Sequence, residues 1–254
     1  MSNPAPLPAD VLLEMCVDSV EAALAAQEGG ANRVELCADL LEGGITPSIG
    51  TISLACERLA IPVNVIIRPR GGDFVNTEAE FGAMRRDVAA AKDAGASGVV
   101  IGLLTPEGEV DLPRIRALIA AARPLTVTFH RAFDMARDPY AALEALLALG
   151  VDRLLTSGQE ESALAGMDLI AELVRRAAGR LIVMPGGGVT PRNVGRILSA
   201  TGAREVHVHI ATLVDGPMRY RNPHCSMGGA LRPAEFARSV TTADDVRALR
   251  AAFG

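Results

Sequence analysis

Eight short apolar runs, each separated from the next by a stretch of helical character, constrain this chain more than any other feature. They are LLEMCV (12–17), RVELC (33–37), VNVIIR (63–68), GVVIGLL (98–104), LTVTFH (125–130), RLLTS (153–157), LIVMPG (181–186) and EVHVHI (205–210). Their starts lie 21 to 35 residues apart, and most intervals hold an alanine- and leucine-rich segment. Strands alternating with helices are βαβ units, which build a parallel sheet. Four joints between helix and strand repeat a glycine, at Gly30, Gly95, Gly150 and Gly202. Glycine can end a helix in the left-handed conformation at no steric cost. No polar, proline-rich linker divides the chain. Its 254 residues are close to the usual size of one eight-stranded α/β barrel.

An open, doubly wound sheet is the alternative. The opening element reads MCVDS, however, and not a glycine-rich dinucleotide turn. The count of eight favours a (β/α)8 TIM barrel, expected as a single domain over 11–254 after a flexible segment at 1–10. Two stretches break the rhythm. The loop DLLEGGITPSIG follows Cys37 and precedes a helix near 48–60, and the segment 211–235 carries Pro217, Pro223 and Pro233. A last helix is expected over about 241–252, capped by Thr241 or Thr242.

Composition narrows the function classes. The formal charge is -5, and no basic run is interleaved with aromatics, so nucleic acid is not an expected partner. No apolar stretch reaches membrane-spanning length. The first ten residues lack a basic start followed by an apolar run. Neither secretion nor a membrane partner is therefore expected, and a cytoplasmic location is. A chain this long needs no disulfide staples, so its four cysteines are expected as reduced thiols.

In such a barrel the working groups come from the C-terminal ends of the strands. Glu14 and Cys16 lie two apart in the first run, and Glu35 and Cys37 repeat the arrangement in the second. If those faces point inward, two carboxylates form a lower layer and two thiols a higher one. Paired thiolates suit a soft ion such as Cu(I) or zinc. Buried carboxylates need a partner or a raised pKa. After the third run, Arg68 and Arg70 flank Pro69 and lead to Gly71-Gly72-Asp73-Phe74. Arginines placed so can clamp an anion. His130 ends the fifth run as a candidate acid, base or ligand, with Asp134 near enough in sequence to orient its ring. Ser157 ends the sixth. Gly186, Gly187 and Gly188 follow the seventh, where backbone N–H groups often hold phosphate. His207 and His209 share a face of the eighth run and could join Cys16 and Cys37 across the barrel seam. His224 and Cys225 form a weaker pair in a loop, and Cys56 is expected in a helix.

Taken in order, these segments resemble the CutC copper homeostasis family. The resemblance rests on Glu14-Met15-Cys16, Glu35-Leu36-Cys37-Ala38-Asp39-Leu40 and Gly43-Gly44-Ile45-Thr46-Pro47-Ser48. It continues through Ile67-Arg68-Pro69-Arg70-Gly71-Gly72-Asp73-Phe74 and Phe129-His130-Arg131-Ala132-Phe133-Asp134. Leu155-Thr156-Ser157-Gly158, Gly186-Gly187-Gly188, Glu205-Val206-His207 and Met218-Arg219-Tyr220-Arg221-Asn222 complete it. It implies a TIM barrel, a cytoplasmic homodimer and a link to copper, with the proposed copper cysteines falling on Cys16 and Cys37. The chain departs from the family pattern at Asn76 and Thr77, where tyrosine and serine are usual. It departs again at Gln159, where glycine is common, and at His209-Ile210, where serine-alanine is.

Three functions follow as expectations. The first is a copper-binding protein with metal ligands Cys16, Cys37, His207 and His209. The second is an enzyme acting on a small anionic or phosphorylated metabolite. Glu14, Glu35, Arg68, Asp73 and His130 would be its catalytic set, and Arg68, Arg70, Ser157 and Gly186 to Gly188 would hold the anion. The third is a non-catalytic scaffold with a vestigial site.

Overall fold

A computed structural model of the protein describes residues 11–221, 224 and 237–253. Each of the eight apolar runs forms a strand. They are β1 (Leu12–Val17), β2 (Arg33–Leu36), β3 (Val63–Ile66), β4 (Gly98–Ile101), β5 (Thr126–Phe129), β6 (Arg153–Thr156), β7 (Ile182–Pro185) and β8 (Glu205–Val208). All neighbours in the sheet are parallel. β8 pairs back onto β1, giving the order β7-β6-β5-β4-β3-β2-β1-β8. The sheet therefore curls into a nearly closed cylinder, the (β/α)8 barrel expected from the repeat.

The helices between the strands are α1 (Val20–Glu28), α2 (Ile49–Arg58), α3 (Glu78–Asp93), α4 (Leu112–Ala122), α5 (Pro139–Leu149), α6 (Met167–Ala177) and α7 (Val194–Thr201), with α8 (Ala243–Ala251) last. Local chemistry sets their ends. Ser48 caps α2, and Thr77 and Thr242 begin capping boxes with Glu80 and Asp245. Thr77 thus does the work that the more usual serine would do. Gly150 and Gly202 close α5 and α7 in the left-handed region. The irregular stretch after β8 contains a short antiparallel ribbon, β9 (Thr212–Asp215) with β10 (Ala237–Val240), which the prolines of that segment did not suggest. Segment 1–10 and Cys225 lie outside the described residues.

Strand residues alternate between two buried environments. Leu13, Met15 and Val17 of β1, and Val34 and Leu36 of β2, join the main apolar core with the helices. Their neighbours in sequence point toward the barrel axis. On β1, β2 and β8 those inward positions are polar: Glu14, Cys16, Arg33, Glu35, Glu205 and His207, all buried. An alternation of two with both faces dry is the normal state of a barrel strand. Charged residues inside it are not, and they mark where the site is built.

The layering differs from the sequence expectation. Register pairs Glu14 with Arg33 and Cys16 with Glu35, leaving Cys37 one step further along. The two strands are offset by two residues, as the stagger of a closed barrel requires. No layer of two carboxylates lies under a layer of two thiols. Each level is mixed.

Candidate functional site

The site rests on a buried ionic foundation that sequence reading missed. Arg33 donates to Glu14 and, at 2.7 Å, to Glu205, and Arg153 donates to Glu205 at 2.8 Å. Asn64 donates to Glu14 at 3.2 Å. Buried charges persist only when paired and hydrogen-bonded, and this set is. Its one sequence signal was Arg33 opening a strand two residues before Glu35.

Above the foundation, Glu14 Oε1 lies 2.9 Å from His207 Nδ1 and so fixes the imidazole. Burial alone would push the Glu14 carboxyl up. The His207 hydrogen bond and the Arg33 charge overcome that and hold it at about 2. The other ring nitrogen of His207, Nε2, sits 3.6 Å from Glu35 Oε2. Burial would discharge His207, but Glu35, Cys16 and Glu14 around it raise its pKa well above the ordinary histidine value. Glu35 moves the other way. Burial lifts its carboxyl to about 8, against the pull of His207 and with the repulsion of Cys16 and Glu14.

Cys16, level with Glu35, and Cys37, one step further along, bring their sulfurs to 3.8 Å apart. Cys37 also faces Glu35 Oε2 at 3.6 Å. The hydrogen bond between the thiols lowers the Cys16 pKa and raises that of Cys37, so the pair gives up one proton readily and the second reluctantly. One donor atom each from Cys16, Glu35 and Cys37 lie within 4.8 Å of one another, all buried. Among the described residues this is the one cluster of three such donors that could hold a metal ion.

A cavity of about 310 Å³ opens over this cluster. Cys16, Glu35 and His207 form part of its wall. Ile66, Phe74 and Leu155 supply apolar surface, and Arg68, His130, Arg131 and Asp134 line it as well. His130 Nδ1 accepts the N–H of Ala132 at 3.1 Å, which leaves the ring proton on Nε2. Burial and the Arg68 charge depress its pKa to about 3, so the ring is neutral. Gly102 makes room for it, since a Cβ there would come within 2.3 Å of His130 Cε1.

Several expected partners stand elsewhere. Asp134 does not orient His130. Its oxygens accept from Thr156, Ser157, Gln159 and Arg131. Ser157 is held in that network and does not line the cavity. His209 is exposed and faces a different hollow, beside Thr190 and Ala248, with its Nδ1 3.1 Å from the Cys16 carbonyl oxygen. It is not part of the Cys16, Glu35 and Cys37 cluster, although its charge contributes to lowering the Cys16 pKa. Asp73 is an exposed partner of Arg70, and Arg70 is spent on Asp73, Glu80 and loop carbonyls. Gly186 packs on Leu155 and His207, Gly187 on Arg131 and Ser157, and Gly188 on Ser162, its carbonyl accepting from Asn193. None of the three glycines is part of the cavity wall. Arg68 does line it, but its two terminal nitrogens bind the carbonyls of Glu42, Gly44 and Gly72. Gln159 holds φ 58, a left-handed conformation that glycine adopts freely, which explains why glycine is common there.

A profile described as the CutC family matches residues 11–212. A family protein CutC of Chromobacterium violaceum is 51% identical over 243 residues, covering 96% of this chain and 98% of its own length. A copper homeostasis protein cutC homolog of Homo sapiens is 50% identical over 240 residues, covering 94% and 88%. Among solved structures, a copper homeostasis protein CutC of Streptococcus agalactiae superposes with a TM-score of 0.74 at 35% identity, covering 78% of this chain and 97% of that one.

Proposed function

Because the chain belongs to the CutC family, we propose that it is a copper-handling protein that takes Cu(I) between Cys16 and Cys37. The observation that carries this reading is the buried Cys16, Glu35 and Cys37 cluster, with its donor atoms within 4.8 Å of one another. The donor set fits the ion. Two thiolates are soft ligands and favour Cu(I), and a carboxylate alongside them is compatible with zinc as well. The cation would supply the charge that lets both sulfurs stay deprotonated, and the proton held between them would leave. Glu35 stands beside the Cys37 sulfur and, once deprotonated, would help to balance the cation.

The proposal includes a reducing, cytoplasmic setting, in which Cys16 and Cys37 would stay as thiols. It also includes a homodimer, which light scattering in solution would test. No helix among the described residues is long and apolar enough to cross a membrane.

Competition for Cu(I) against a chromophoric chelator tests the site. Cys16→Ser and Cys37→Ser should each weaken binding, and Zn(II) run in parallel separates copper from a general soft-metal preference. Unchanged Cu(I) affinity in both variants would remove this site from consideration.

A further inference from the structure

We propose that the cavity beside the cysteine cluster binds a small organic carboxylate, its two oxygens held by Arg68 Nε–H and His130 Nε2–H under the ring of Phe74. Both nitrogens belong to side chains more than nine-tenths buried, and neither has a hydrogen-bond partner. A buried N–H without an acceptor has lost its bond to water and gained none in return. Two in the wall of one cavity call for a common explanation.

The other atoms of both side chains are fixed, so neither donor can turn away to find a partner. Arg68 is pinned through its terminal nitrogens to three carbonyls, which leaves Nε as its one buried nitrogen without a partner. His130 is pinned through Nδ1 to Ala132 N–H, which leaves only Nε2. Both lie against Phe74. The Arg68 guanidinium carbon is 5.3 Å from the ring centre, and the His130 ring is 5.2 Å from it. Phe74 is half-buried and follows Gly71-Gly72, while its backbone is anchored by the Leu104 N–H at 2.9 Å. Both donors are closed to solvent, so rotation of this half-buried ring would be needed to admit a ligand.

The chemistry selects a carboxylate. One permanent cation and one neutral donor match a planar, singly charged group with two oxygens. Ile66, Phe74 and Leu155 in the same wall offer no hydrogen bonds to the further oxygens of a phosphate, which would lose those it makes in water. Those same walls accommodate an apolar body on the carboxylate. Arg131, the other cavity arginine, is already paired with Asp134 at 2.7 Å and is not needed.

The cavity is shared with Cys16 and Glu35, but its two donors, Arg68 and His130, are not among the proposed metal ligands, so the two readings can fail separately. The test is an NMR titration of the full chain with ¹⁵N-labelled histidine, using phenylacetate as probe, and phenylacetamide and inorganic phosphate as controls. Phenylacetate should shift the His130 Nε2–H resonance saturably and bind about tenfold or more tightly than the uncharged amide. His130→Phe should lose that binding yet keep its Cu(I) affinity. An unmoved His130 resonance, equal binding of the amide, or phosphate competing as well as phenylacetate would each overturn the proposal. The wild-type titration decides the matter even if the variant does not fold.

Discussion

Replacing Arg33 with methionine removes the cation that ties β1, β2 and β8 together beneath the site. Methionine keeps most of the apolar stem and suits the neighbouring Met184 sulfur, which lies 3.4 Å from the guanidinium. What disappears is the bond to Glu14 and the 2.7 Å bond to Glu205. Breaking a buried ion pair from one side costs about 3–5 kcal/mol. Here each stranded carboxylate keeps another partner, His207 for Glu14 and Arg153 for Glu205. The lower end, about 3 kcal/mol, is therefore expected. A second route gives the same size. Glu14 is held at about 2 in the folded chain against an ordinary 4.5, which corresponds to about 3 kcal/mol at neutral pH, shared between His207 and Arg33. The sign follows from the lowered value. This stabilisation is complete above about pH 4.5 and is lost as pH falls through about 2. Thermal unfolding of wild type and Arg33→Met should therefore differ by about 6–12 °C at neutral pH. The gap should narrow as pH drops from 4.5 toward 2. A neutral-pH difference below about 1 kcal/mol, or a gap that does not change with pH, would refute the ionic foundation as a source of stability.

Two further changes probe single features. Thr128 Oγ1 is buried without a partner, so Thr128→Val should be neutral or stabilising by about 1 kcal/mol in urea unfolding, and a clear loss would show that the hydroxyl is satisfied in solution. Gln159 combines a left-handed backbone with side-chain bonds to the carbonyls of Ala136 at 2.6 Å and Phe133 at 3.3 Å. Gln159→Ala keeps the strain and loses the bonds, while Gln159→Gly loses both, so the alanine variant should be the less stable by about 1 kcal/mol, and equal stabilities would show that the conformation carries no strain.

The barrel was legible because its cause is periodic. Eight apolar runs of strand length, with helix-length intervals and glycine stops, leave few ways to bury every run, and the strands form where the runs are. The cap at Thr242 was equally local. Glu14, Cys16, Glu35 and Cys37 were recognisable as one inward face because strand residues two apart share a side. That Cys16 and Cys37 come together was expected from the sequence, but their other partners were not legible. Those depend on the stagger between strands, a property of the closed barrel, which sets Cys16 beside Glu35 and Glu14 beside Arg33. The same closure brings His207 to Glu14 across 193 residues of sequence and leaves His209, only two residues on, outside the cavity. Residue types and their order determined the architecture and the face on which the chemistry would lie. Only the tertiary structure decided which donors share a cavity, because distances between strands are fixed by register and closure and leave no trace in the local sequence.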